Sequence, residues 1–65
     1  MIDGRQRKNV QIGLFAEIIQ KKNQGSGALT QGIISKVLTK SMSHPYGIKV
    51  QLASGLVGRV KYIIE

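Results

Sequence analysis

Few side chains in this sequence could do chemistry near neutral pH: the carboxylates Asp3, Glu17 and Glu65, the imidazole His44, and ten Lys and Arg cations. Acid–base catalysis needs two titratable groups held close together. Asp3 sits near one terminus, Glu65 is the last residue, and Ser41 and Ser43 beside His44 lack an orienting acid and an oxyanion hole. Enzymatic activity is therefore not expected. A metal site is not expected from one histidine and scattered acids, and with no cysteine there is neither a thiolate ligand nor a disulfide. The Gly-Ser-Gly at 25–27 lacks the Lys-Ser/Thr and helix of a phosphate loop. No cofactor is expected.

The cations are the better candidates. The formal net charge is +7, and no acid occurs from Ile18 to Ile64. Such a surface attracts polyanions, although net charge also serves solubility alone. Arg5, Arg7 and Lys8 lie near the N-terminus. Lys36, Lys49 and Arg59 fall at outward strand positions, Lys40 precedes a turn, and Lys61 lies in the C-terminal segment. Outward residues of neighbouring strands, about 4.8 Å apart, can form one patch. Rings are sparse: Phe15, Tyr46 and Tyr62. Affinity would rest on charge, with single bases stacking on an exposed ring.

These residues must be positioned by short elements. Residues 1–9 carry no apolar period and read as a loose basic arm; residues 10–65 read as one small domain. The apolar positions of 12–20 fit a helix face (Leu14, Phe15, Ile18, Ile19) and a strand face (Leu14, Ala16, Ile18) alike. On the strand reading Phe15 turns outward, as a stacking platform, a partner anchor or a cap over a small second core. Residues 23–28 read as a flexible loop. In "LTQGIISKVLTK" the core candidates Ile34 and Val37 are three apart, which a β-bulge reconciles. "GIKVQL" alternates cleanly, Ala53–Gly55 turn the chain, and Val57 and Val60 repeat the three-residue spacing around Gly58.

Four to five strongly bent strands joined by glycine-rich turns fit a small all-β barrel, which protects its edges by closing. The expected core is Ile12, Leu14, Ala16, Ile18, Leu29, Ile34, Val37, Ile48, Val50, Leu52, Val57, Val60 and Ile63. "HPYG" at 44–47 suits a type I turn, with proline at the second position and glycine at the fourth. That accounts for Pro45 and Gly47. It leaves His44 and Tyr46 pointing outward, where with Lys40 and Lys49 they could form one cationic, ring-bearing edge. No apolar run approaches the roughly 20 residues of a membrane helix, and no secretory signal is seen. A cytoplasmic monomer without membrane contact is expected.

"DGRQRKNV", "TQGIISKVLTKS" and "SHPYGIKVQLASGLVGRV" together resemble the YwbE family, over nearly the whole chain. "HPxGIKVxLxxGxVGRV" is the specific part. "GIISKVL" and "GLVGRV" are similar to units of many SH3-like barrels, including the KOW type of ribosomal and transcription proteins. The resemblance implies a small SH3-like barrel and supplies no activity. The KOW likeness favours RNA, or a ribonucleoprotein, over DNA. Tyr46 stands where a second histidine would be expected, against a metal-binding His pair. The alternative is a protein-interaction module built on Phe15 and Ile19.

Overall fold

A computed structural model describes residues 2–20 and 27–64. Lys21, Lys22, most of the loop expected at 23–28, and Glu65 lie outside the described residues. Phe15–Ile19 form a strand, β2, and not a helix. Ala16 and Ile18 are fully buried while Phe15, Glu17 and Ile19 alternate outward. The period of two decides it: only a strand buries Ala16 and Ile18 together.

The short strand Ile2–Asp3 is β1, and a 3-10 turn follows at Arg7–Asn9. After β2 come β3 at Thr30–Val37, β4 at Lys49–Leu52 and β5 at Val57–Ile64. All pairings are antiparallel. β2 joins β3 and β5, β3 joins β4, and β4 joins the first half of β5, so four strands close on themselves. β1 extends the second half of β5, with Ile2 opposite Ile63 and Asp3 opposite Tyr62. The all-β barrel expected from the sequence is the fold observed.

Two bulges bend the strands. Between Ile34 and Lys36 the register with β4 slips by one, which turns Ile34 and, more shallowly, Val37 to the core. The extra residue is Ser35, whose hydroxyl donates to the Gln51 carbonyl at 3.0 Å. The second bulge lies in β5: Glu17 is opposite Tyr62 but Ile18 is opposite Val60, leaving Lys61 without a partner in β2.

The core holds Val10, Ala16, Ile18, Ile34, Ile48, Val50, Leu52, Val60 and Ile63. Four expected members are exposed. A turn at 11–14 delays β2 until Phe15, so Ile12 sits at its tip, 68% exposed, and Leu14 also faces outward. Val10, at the end of the 3-10 turn, is buried in the core in this part of the chain. Leu29 precedes β3 and stays outside. Val57 faces out because the β5 bulge falls at Lys61, not between Val57 and Val60; the buried residues three apart are Val60 and Ile63.

β4 gives way to β1 along one edge of β5 at Val60. The Val60 N–H donates to the Ile48 carbonyl at 2.9 Å, the Ile48 N–H to the Gly4 carbonyl at 2.8 Å, and the Gly4 N–H to the Lys61 carbonyl at 3.3 Å. A Cβ at Gly4 or Gly47 would strike the backbone of Val60, and Gly47 also has φ +106°. Only glycine tolerates both conditions. The N-terminal segment, expected as a loose arm, is tied in here. Arg7 N–H donates to the Met42 carbonyl at 2.8 Å, His44 N–H donates to the Arg5 carbonyl at 3.0 Å, and Gln6 bridges to Ser43.

Candidate nucleic-acid interface

The turn His44–Gly47 closes through the Gly47 N–H on the His44 carbonyl at 3.1 Å. Beyond pointing outward, as the turn suggests, His44 supports the turn: its Nδ1 accepts the Tyr46 N–H at 3.1 Å. A side-chain acceptor that satisfies the backbone two residues on stiffens a turn. His44 is thus part of the corner, and Tyr46 is what the corner presents, 80% exposed, with ring centroids 5.9 Å apart.

Tyr46 and Pro45 line a groove of about 730 Å³ together with Asp3 and Arg5 from the N-terminal segment; β5 supplies Arg59, Val60, Lys61 and Tyr62, and β2 supplies Ile19. The bulge makes this possible. In a regular strand Lys61 and Tyr62 would point to opposite faces; with Lys61 as the extra residue both line the groove. Tyr62 was missed as a site residue. The signal was present, because Val60 and Ile63 show the same three-residue spacing that located the bulge in β3.

Four of the ten expected nucleic-acid contacts line this groove: Arg5, Tyr46, Arg59 and Lys61. Lys49 flanks it, since its Cα partner in β5 is Arg59. Arg59 donates from Nη1 to the Gly47 carbonyl at 3.1 Å and so braces the Tyr46 turn. The others lie elsewhere. Arg7 and Lys8 line a smaller concavity of about 340 Å³ with Gln6 and Met42. Arg7 Nη1 donates to the Lys40 carbonyl at 3.0 Å, which attaches Lys40 to that region and away from the edge imagined with Tyr46. Lys36 sits on β3 opposite Gln51, outside both concavities.

Arg5 is only partly available. Its Nε and Nη2 grip the Asp3 carboxylate, with Nη2 to Oδ2 at 2.7 Å, and its backbone N–H adds a bond to Oδ1 at 2.8 Å. This is the one ion pair among the described residues. The Arg5 side-chain hydrogen bonds hold the Asp3 carboxyl below the usual carboxylate range, and Asp3 in turn raises the Arg5 pKa. Glu17 accepts from Gln31 Nε2 at 3.0 Å; it does not line the groove but flanks it as Lys49 does, since its Cα partner in β5 is Tyr62.

The pair of apolar residues in the alternative reading is split. Ile19 belongs to the groove. Phe15, 38% exposed, lies between Ile33 and Ile64 as their cross-strand partner, forming an outer apolar row. Among the described residues no cluster of three metal-ligating side chains occurs, and no helix is long and apolar enough to cross a membrane.

The family model described as "Uncharacterized conserved protein (DUF2196)" matches residues 3–63. A relative from Bacillus subtilis (strain 168), "Uncharacterized protein YwbE", is 41% identical over 64 residues, covering 98% of each chain. The chain belongs to the YwbE family. The matched span of this family runs from Asp3 to Ile63 and so includes every residue that lines the groove. No solved structure matches the chain.

Proposed function

We propose that the protein is a small, non-enzymatic, cationic binding module that acts in the cytoplasm as a monomer and contacts nucleic acid, RNA ahead of DNA, through the groove beside Tyr46. One observation carries this reading. Arg59 and Lys61 meet Tyr46 and Tyr62 in one concavity, Lys49 flanks it, and the one acid lining it, Asp3, is already held by Arg5. Cations beside accessible rings match the chemistry of a phosphate backbone with bases attached. Acid–base catalysis has little to use there, since His44 does not line the groove and its Nδ1 is engaged by the turn.

The test is binding of a short mixed-sequence single-stranded RNA by fluorescence anisotropy as salt is varied. Contact with on the order of three or four phosphates gives a slope of log K against log salt of about −2 to −3. Affinity then falls about 15- to 60-fold between about 50 and 200 mM salt. Amide shifts on titration should centre on residues 44–47 and 59–62. A flat salt dependence, or no binding at the low-salt end, ends the proposal.

The apolar row Ile33–Phe15–Ile64 supports a second reading, a module that docks on a ribosomal or other ribonucleoprotein complex through protein contacts. In that case Phe15→Ala abolishes association while salt has little effect.

A further inference from the structure

The groove's shape and rings bear on what form of nucleic acid it takes. Tyr46 is the most exposed of the rings, with the ring of His44 beside it, yet the backbone of its turn is held from several sides. The His44 carbonyl, His44 Nδ1 and Arg59 Nη1 each hold one backbone group of the turn. A ring on a rigid corner can stack on a ligand with little ordering cost. The volume of about 730 Å³ lies in the range of pockets that enclose small ligands. Bases inside a duplex are stacked on one another and cannot offer a face to such a ring, whereas unpaired bases can.

Resting on the function proposed above, we infer that the groove is selective for an unpaired nucleotide in a single strand, with its base on Tyr46 and its phosphate between Lys61 and Arg59. The β5 bulge supports this division. It puts a cation and a ring, Lys61 and Tyr62, on the outer side at successive positions between the buried Val60 and Ile63, so that a charge for phosphate and a ring lie next to each other in the groove.

The experiment compares three probes of equal length by anisotropy: a mixed single strand, the same strand in a blunt duplex, and an abasic strand that keeps the phosphates. The single strand should bind at least about tenfold more tightly than the other two. Tyr46→Ala should weaken single-strand binding about 5- to 150-fold, the range for loss of one stacked base, and leave the salt slope unchanged. Tyr46→Trp should retain binding. Circular dichroism of both variants should match the parent, since the side chain is exposed. If all three probes bind alike and Tyr46→Ala is neutral, the groove is a plain polyanion surface and this inference is wrong while the broader function stands. If none of the probes binds, both are wrong.

Discussion

The barrel bends twice by the same device, at Ser35 in β3 and at Lys61 in β5, and the two bulges differ in what they leave outside. At Ser35 the extra residue turns back on its neighbour strand, donating to the Gln51 carbonyl. The bend is self-contained. At Lys61 the extra residue has no partner in β2 and its side chain joins Tyr62, Arg59 and Tyr46 around a groove. Curvature alone therefore does not mark a site. What makes the second bulge the candidate is that its displaced residue has no partner in β2 and lines one groove with others.

The largest effect should come from breaking the brace beneath the second bulge. Gly47 has φ +106°, and a side chain there meets the Val60 carbonyl. Gly55 has φ +93° but open space around it. Gly55→Ala should cost about 1–2 kcal/mol, the strain of a left-handed alanine. Gly47→Ala adds a backbone collision, for a total of about 3 kcal/mol or more and a melting temperature lower by about 15 °C or more. In a domain this small that leaves little folded protein. Equal melting temperatures for the two variants would show that the Val60 contact is not under tension.

The contrast between the bulges is sharpened by Ser35→Ala and Lys61→Ala. Removing the Ser35 hydroxyl loses one hydrogen bond to the Gln51 carbonyl, at about 1 kcal/mol of stability, with RNA affinity unchanged. Lys61→Ala should do the reverse. Its melting curve should overlay the parent, and its salt slope should become shallower by about 0.7, one phosphate contact fewer. If Lys61→Ala is silent in binding, the two bulges are equivalent and the groove has no special standing.

Much of the barrel was legible because its strands obey a period of two or break it in a recognisable way. Lys49–Leu52 alternates without exception, and the Ile34–Val37 spacing located a bulge directly. The same spacing was read at the wrong place in β5. Val57, Val60 and Ile63 are successive apolar residues three apart, and only the pairing partner decides which gap holds the bulge. That decision is non-local and is not written in the strand itself. The site was legible in type more than in grouping. Arg59, Lys61 and Tyr46 were identified singly, but what joins them is the docking of residues 4–7 along the 42–48 loop through backbone hydrogen bonds. Backbone pairing of a polar, aperiodic segment leaves no hydrophobic pattern to read. The part His44 plays in the turn is illegible for a related reason, since an imidazole that accepts a backbone N–H two residues on looks in sequence like any exposed histidine.

The smallest expected effect concerns the acid at the rim of the groove. Arg5 lowers the Asp3 pKa, so the pair's contribution to stability is present above the usual carboxylate value and is lost as pH falls through the lowered folded value. The pair is solvent-exposed, and Asp3→Asn should scarcely move the melting temperature. Binding is the more sensitive readout. Releasing the Arg5 guanidinium adds a cation to the groove, so Asp3→Asn should raise single-strand affinity by up to about fivefold near 100 mM salt and steepen the salt slope by up to about 0.7. Glu17→Gln is the control. It removes the same charge from β2, on the other side of β5, where Glu17 is engaged by Gln31 and sits opposite Tyr62 without lining the groove. If the two substitutions raise affinity equally, net charge alone is responsible. If only Asp3→Asn does, phosphate and Asp3 compete for the same arginine, and the bulge in β5 opens onto a site whose charge is set from β1.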